Sequence, residues 1–153
     1  MNIDSIDLKI LNELQRDASL SNVELAKRVH LSASPCLVRV RELERSGLIR
    51  QYVALLDAHQ LGLHLNVFIS ISLKQQSRQA LQAFEERVCA REEVMECYLM
   101  AGEFDYLLRV VVADMADFER LHRDALTRLP GVARVNSSVT IRTVQKKTEL
   151  PLH

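Results

Sequence analysis

Two unlike segments follow one another in this chain, and they predict an α+β fold: a short all-helical unit, then a βαββαβ unit. Three observations carry that expectation. Apolar residues recur at helical spacing from Ile6 to Leu43. From Leu65 to Leu73, and again over 135–144, they alternate in the period of a strand with one buried face. Between those strands, two more helical patterns flank a pair of apolar runs joined by a tight connection.

The helical unit reads as three helices. Asp4 stands ahead of Ile6, Ile10 and Leu14, spaced by four with Leu11 beside them, which predicts a capped amphipathic helix. Ser21 with Glu24 three residues on is a capping box, opening a short helix that buries Leu25, Ala26 and Val29. His30, Leu31 and Ser32 leave room only for a tight turn. Ser32 or Ser34 then caps a third helix with Pro35 in its first turn. Cys36, Val40 and Leu43 face its core, and Gly47 ends it. Helix, turn and helix, with bases on the outer face of the second member, is an arrangement that fits a DNA major groove. Residues 48–56 are β-prone and read as a wing or linker strand, with a domain boundary over 57–62.

In the second unit, Leu65 to Leu73 is the first strand, and Ala80, Leu81, Phe84 and Val88 mark a helix. Residues 94–101 form a strand, 102–105 a tight connection and 106–113 an unusually apolar strand. Asp114 caps a helix burying Phe118, Leu121 and Ala125, which stops at Pro130-Gly131 before the last strand. This order is the ferredoxin-like split fold with an antiparallel sheet. The division expected is a helix-turn-helix domain over 1–52, a linker strand over 53–63 and the ferredoxin-like domain over 64–153.

Composition narrows the functional classes. Hydrophobic and charged fractions of 48% and 26% are those of a globular chain. No apolar run is long enough for a membrane span, and Asp4 and Asp7 sit where a secretory leader would be basic, so the chain is expected in the cytoplasm. Cys36, Cys89 and Cys97 form no CxxC pair and read as buried reduced thiols. The five histidines show no metal-ligand spacing, and neither metal nor cofactor is expected. The net charge is zero but unevenly spread: −3 over 1–26 and +4 over 27–50.

Several stretches resemble the Lrp/AsnC family, also called feast/famine regulators. They are Ile6-Asp7 through Leu14, Asn22-Val23-Glu24-Leu25-Ala26, Leu31-Ser32-Ala33-Ser34-Pro35-Cys36-Leu37 and Leu43-Glu44. Gly47-Leu48-Ile49, Gly102-Glu103-Phe104-Asp105-Tyr106-Leu107-Leu108 and Thr148-Glu149-Leu150-Pro151-Leu152 complete the set. The resemblance spans essentially the whole chain. It departs at Val38-Arg39, where relatives usually carry two bases, and at Gln145, where they carry a lysine. It implies a winged helix-turn-helix with a RAM/AsnC-type ferredoxin-like domain. It also implies a homodimer that assembles into tetramers, octamers or larger rings. An amino acid or related metabolite would bind where second domains meet and change assembly or DNA affinity.

Within that frame, Ser32, Ser34, Pro35, Val38, Arg39 and Arg41 lie off the apolar stripe of the third helix and are the candidate contacts to double-stranded DNA. The plainer alternative makes the serines caps and the arginines solubilising charges. Gly102 lets backbone approach a ligand, and Asp105 is the expected partner of an α-ammonium. Tyr98, Leu99, Met100 and Ala101 are expected beside them, with Ser137 and Ser138 adding hydroxyls. The alternative there is an ordinary turn. No catalytic constellation stands out, so the function read is a ligand-responsive transcription regulator and not an enzyme. A sirohaem-decarboxylase-like enzyme and a metabolite binder without DNA binding are the rivals.

Overall fold

The computed structural model describes residues 3–153. It divides into two compact units, one running to Leu55 and taking in Val144–His153, the other Leu56–Thr143. Among the described residues, no helix is long and apolar enough to cross a membrane.

The first unit contains α1 (Ser5–Arg16), α2 (Asn22–Arg28) and α3 (Ala33–Arg45) around Ile10, Leu11, Leu25, Ala26, Val29, Cys36 and Leu43, with Leu152 packed against this core. The capping box predicted on α2 is present: Glu24 N–H donates to Ser21 Oγ, and Ser21 N–H to Glu24 Oε2. At the other end of α2, Leu31 N–H donates to the Ala26 carbonyl (2.9 Å) and His30 N–H to the Lys27 carbonyl (3.3 Å). This is a Schellman closure, and it puts His30 at φ 59°, in the left-handed region where glycine is the usual occupant. Gly47, at φ 78°, closes α3 with a bond to the Glu44 carbonyl. Ser32 is the residue preceding α3, but its side chain makes no capping bond.

Asp4 and Asp7 do two jobs at once. Asp4 Oδ1 accepts from the amides of Ile6 and Asp7, while Asp7 Oδ2 accepts from the Asp4 amide. The remaining oxygen of each carboxylate accepts from Arg39 Nη1, at 2.7 Å for Asp4 and 2.8 Å for Asp7. A box that starts α1 therefore also holds α3. The Asp7 amide, followed by the Arg39 guanidinium, keeps the Asp4 carboxyl below its ordinary range.

The second unit is a four-stranded antiparallel sheet ordered β2-β3-β1-β4, from β1 (Leu65–Leu73), β2 (Val94–Leu99), β3 (Tyr106–Val112) and β4 (Val132–Val139). Two helices, α4 (Arg78–Cys89) and α5 (Met115–Asp124), complete the βαββαβ order. The alternate residues Val67, Ile69, Ile71 and Leu73 of β1 and Tyr106, Leu108, Val110 and Val112 of β3 bury against Phe84, Val88, Phe118 and Leu121 of those helices.

Three expectations need correction. Residues 48–63, which take in both the expected wing strand and the linker strand, form no strand, because within the single chain their backbone groups find no ladder partner. The tail, expected with the second domain, packs on the first unit. There Gln15 donates from Nε2 to the Leu150 carbonyl (3.2 Å) and accepts its amide at Oε1 (2.6 Å). The last strand begins earlier and ends earlier than the alternation suggested, at Val132 and Val139.

His30→Gly should raise the stability of the first unit by about 0.5–1 kcal/mol. Relief of the left-handed strain outweighs the added freedom of the unfolded chain. Thermal denaturation followed by circular dichroism would show this as a higher midpoint, and a lower one would refute it. Because the Asp4 pKa is depressed on folding, its contribution is present above the unfolded value, about 4, and is lost as pH falls through the folded value. Asp4→Asn should therefore flatten the acid limb of the stability curve below about pH 4. An unchanged limb would mean that Asp4 carries no linkage.

Candidate functional site

The first site is the solvent face of α3. Cys36 and Leu43 turn inward with Val40 half-buried, and the helix thereby presents Ser34, Val38 and Arg41 outward, all exposed. Ser32 and Pro35 are exposed at its beginning. Arg39 departs from this group. Its side chain is directed at α1 and held by two carboxylates, which removes it from the free basic face where the sequence placed it. The reason is a contact 32 and 35 residues away in the chain. Among the described residues, Arg41 has no ion-pair partner, while Arg45 is bound by both Glu42 oxygens at 2.5 and 2.6 Å.

The second site is the end of the sheet where β2 turns into β3. The Met100 amide donates to the Asp105 carbonyl (2.8 Å), and the Asp105 amide to the Ile71 carbonyl (2.9 Å). Among the described residues, the amides of Ala101, Gly102, Glu103 and Phe104 find no acceptor, so the loop keeps several donors free. A Cβ at Gly102 would meet nothing within 4 Å, so any crowding there must come from outside the chain. Asp105 is not the unpartnered carboxylate expected. Its Oδ2 accepts from the Leu73 amide at 2.6 Å and from Gln76 Nε2 at 3.4 Å, tying the loop to the end of β1.

Register sorts the remaining candidates. Glu96, Arg109, Phe68 and Ser138 lie in one row across the sheet, and Tyr98, Leu107, Ser70 and Asn136 in the next, all on the face away from the helices. Ser137 occupies the row of Cys97, Leu108 and Ile69 on the helix side, where its Oγ is buried without a partner. Ser137 and Ser138 therefore cannot serve the same pocket, and the side chains of Tyr98 and Leu99 part in the same way. Tyr98, Leu99 and Met100 are exposed, as are Ala101 and Gly102. Of the cysteines, Cys36 is buried as expected and Cys89 is exposed.

The apolar runs over 65–73 and 106–113 leave one sheet face needing cover by a second sheet, but the sequence alone does not say which side chains line it. Phe68 is 38% exposed and Tyr98 52%, with Leu107 and Val111 between and beside them. Arg109 crosses this face, pairing Glu96 at 3.1 Å and Asn66 at 3.3 Å. The signal was present in β1, where Phe68 stands at a position its neighbours Asn66 and Ser70 leave to the polar side.

Comparison with known proteins identifies the two domains in which these residues lie. Residues 3–50 match the winged helix-turn-helix DNA-binding pattern, and residues 66–150 match the Lrp/AsnC ligand binding domain. The leucine-responsive regulatory protein of Escherichia coli K12 is 46% identical over 148 residues, spanning 97% of this chain and 90% of its own. A transcriptional regulator of Neisseria meningitidis, solved in complex with L-methionine, is 40% identical. It covers 99% of this chain and 97% of its own, at a TM-score of 0.94. An AsnC family transcriptional regulator of Agrobacterium tumefaciens is also 40% identical, covering 97% of each chain at a TM-score of 0.93. A half-length domain match and a near full-length relative place the assignment beyond fold alone: the chain belongs to the Lrp/AsnC family of transcription regulators.

Proposed function

We propose that this protein is a cytoplasmic regulator that binds double-stranded DNA as a homodimer, or a larger assembly of dimers, and responds to an apolar amino acid. The observation that carries the reading is the solvent face of α3, where Ser34, Val38 and Arg41 stand free on the second helix of a winged helix-turn-helix. Ser32 and Pro35 join them at the helix start, where free N–H groups favour phosphate. Arg39 acts by holding α3 against α1.

The effector site is assigned to the loop after β2, with Tyr98, Met100, Ala101 and Gly102 around it. Its free amides suit a carboxylate, and Asp105 shapes the loop through the Leu73 amide. Leucine and methionine are the effectors to try first, from the names of the relative and the methionine complex. Assembly is assigned to the outward sheet face, because Phe68, Tyr98, Leu107 and Val111 form an apolar cluster that a second copy would cover.

Fluorescence anisotropy with the protein's own upstream DNA tests the reading. Binding should weaken steeply with salt, by about 0.9 in the log–log slope for each phosphate contacted. Arg41→Ala should lower that slope or relax one base preference, and L-leucine or L-methionine should change the affinity. No binding at low salt and micromolar protein would sink the DNA assignment.

Phe68→Glu should convert the dimer to monomer at micromolar concentration while preserving the circular dichroism spectrum, since a charge there opposes burial of the face. Light scattering that found the variant still dimeric would move the interface elsewhere.

A further inference from the structure

Wound at about 100° per residue, Ser34, Val38, Arg41 and Arg45 fall in one stripe of α3 opposite Cys36, Val40 and Leu43. Most of the polar groups that might read bases from this helix are already engaged. Arg39 is held by Asp4 and Asp7, and Arg45 is held by Glu42. What remains on the stripe is Ser34, Arg41 and, between them, Val38 at 60% exposure. A β-branched side chain is a poor choice for a solvated helix position, because it gives up rotamer freedom there. Most of the Val38 surface also stays in water, so little packing within its own chain offsets this.

We propose that Val38 determines base specificity by packing its two methyl groups against the C5-methyl of a thymine in the major groove, with Arg41 and Ser34 meeting base edges or phosphates on either side. The inference rests on the DNA-binding reading above and names the base that reading leaves open. The major groove offers one apolar group, the thymine methyl; the other base edges there present hydrogen-bond donors and acceptors. An isopropyl group would strip water from those edges without replacing its bonds, so Val38 favours thymine and disfavours its competitors by the same contact.

The test uses the full-length protein and a pool of randomised duplexes, retained at low salt and sequenced. The enriched duplex is then remade with each thymine in turn replaced by deoxyuridine, which pairs in the same way but lacks the methyl. At one or two thymines per half-site, the uracil duplex should bind wild type about three- to tenfold more weakly. Val38→Ser should bind the two duplexes equally at those positions, and Val38→Thr, which keeps one methyl, should retain part of the difference. Unchanged melting temperatures would show that the exposed substitutions leave the fold intact. Equal binding of thymine and uracil duplexes by wild type at every position overturns the proposal, as does the same methyl preference in Val38→Ser. A pool from which nothing is retained overturns the DNA-binding reading itself, a different failure from retention without methyl preference.

Discussion

The first unit depends on the way two carboxylates divide their oxygens. One oxygen of Asp4 and one of Asp7 complete the capping box of α1, and the other two meet on Arg39 Nη1. Were Arg39 removed, Asp7, whose side chain is only 9% exposed, would keep a charged oxygen with no partner close to the core. A partly buried ion pair adds little net energy once desolvation is counted yet is costly to break, so its main effect is to constrain geometry. It fixes the rotation of α3 about its axis, and the outward stripe of Ser34, Val38 and Arg41 follows from that rotation and from burial of Cys36 and Leu43.

The second unit obeys a different constraint. Its central strands β1 and β3 bury every second side chain under α4 and α5, a face that is apolar along both strands but for the Tyr106 hydroxyl, which donates to Glu85. The opposite face is mixed: apolar at Phe68, Leu107, Val111 and Tyr98, ionic at Arg109 and Glu96. A sheet with two helices can cover only one side from within its own chain. The composition of the other side, too apolar for a solvated surface yet carrying a satisfied ion pair, suits an interface better than a core.

Local rules made most of the fold legible. The period of four in Ile6, Ile10 and Leu14, the Ser21–Glu24 box, the alternation from Leu65 to Leu73 and the Asp114 cap all act within a turn or a strand, and the structure follows them. The misses are long-range. Arg39 looked free because its partners lie more than 30 residues away, and the packing of the tail on the first unit was not legible because Gln15 and Leu150 are 135 residues apart. That Ser137 and Ser138 face opposite ways follows from strand alternation, while the pairing of β4 with β1 sets which of them lies on the helix side. The wing strand failed for a related reason: β propensity over 48–56 cannot form a ladder without a neighbour.

The loop after β2 shows how a contact distant in sequence changes the chemistry. Among the described residues, only Asp105 Oδ2 is engaged, by the Leu73 amide and Gln76. With Oδ2 held by the Leu73 amide, and with the Met100 amide closing the loop onto the Asp105 carbonyl, the connection is shaped before any ligand arrives. On the proposed reading, a preformed turn whose amides at Ala101, Gly102, Glu103 and Phe104 find no acceptor among the described residues would take a carboxylate through backbone alone, which every α-amino acid offers equally. Discrimination must then come from what surrounds the effector's side chain, and the exposed Tyr98 and Met100 supply apolar surface for that purpose. The order of the preference for leucine, methionine and smaller amino acids should follow apolar area buried, at about 25 cal/mol per Å².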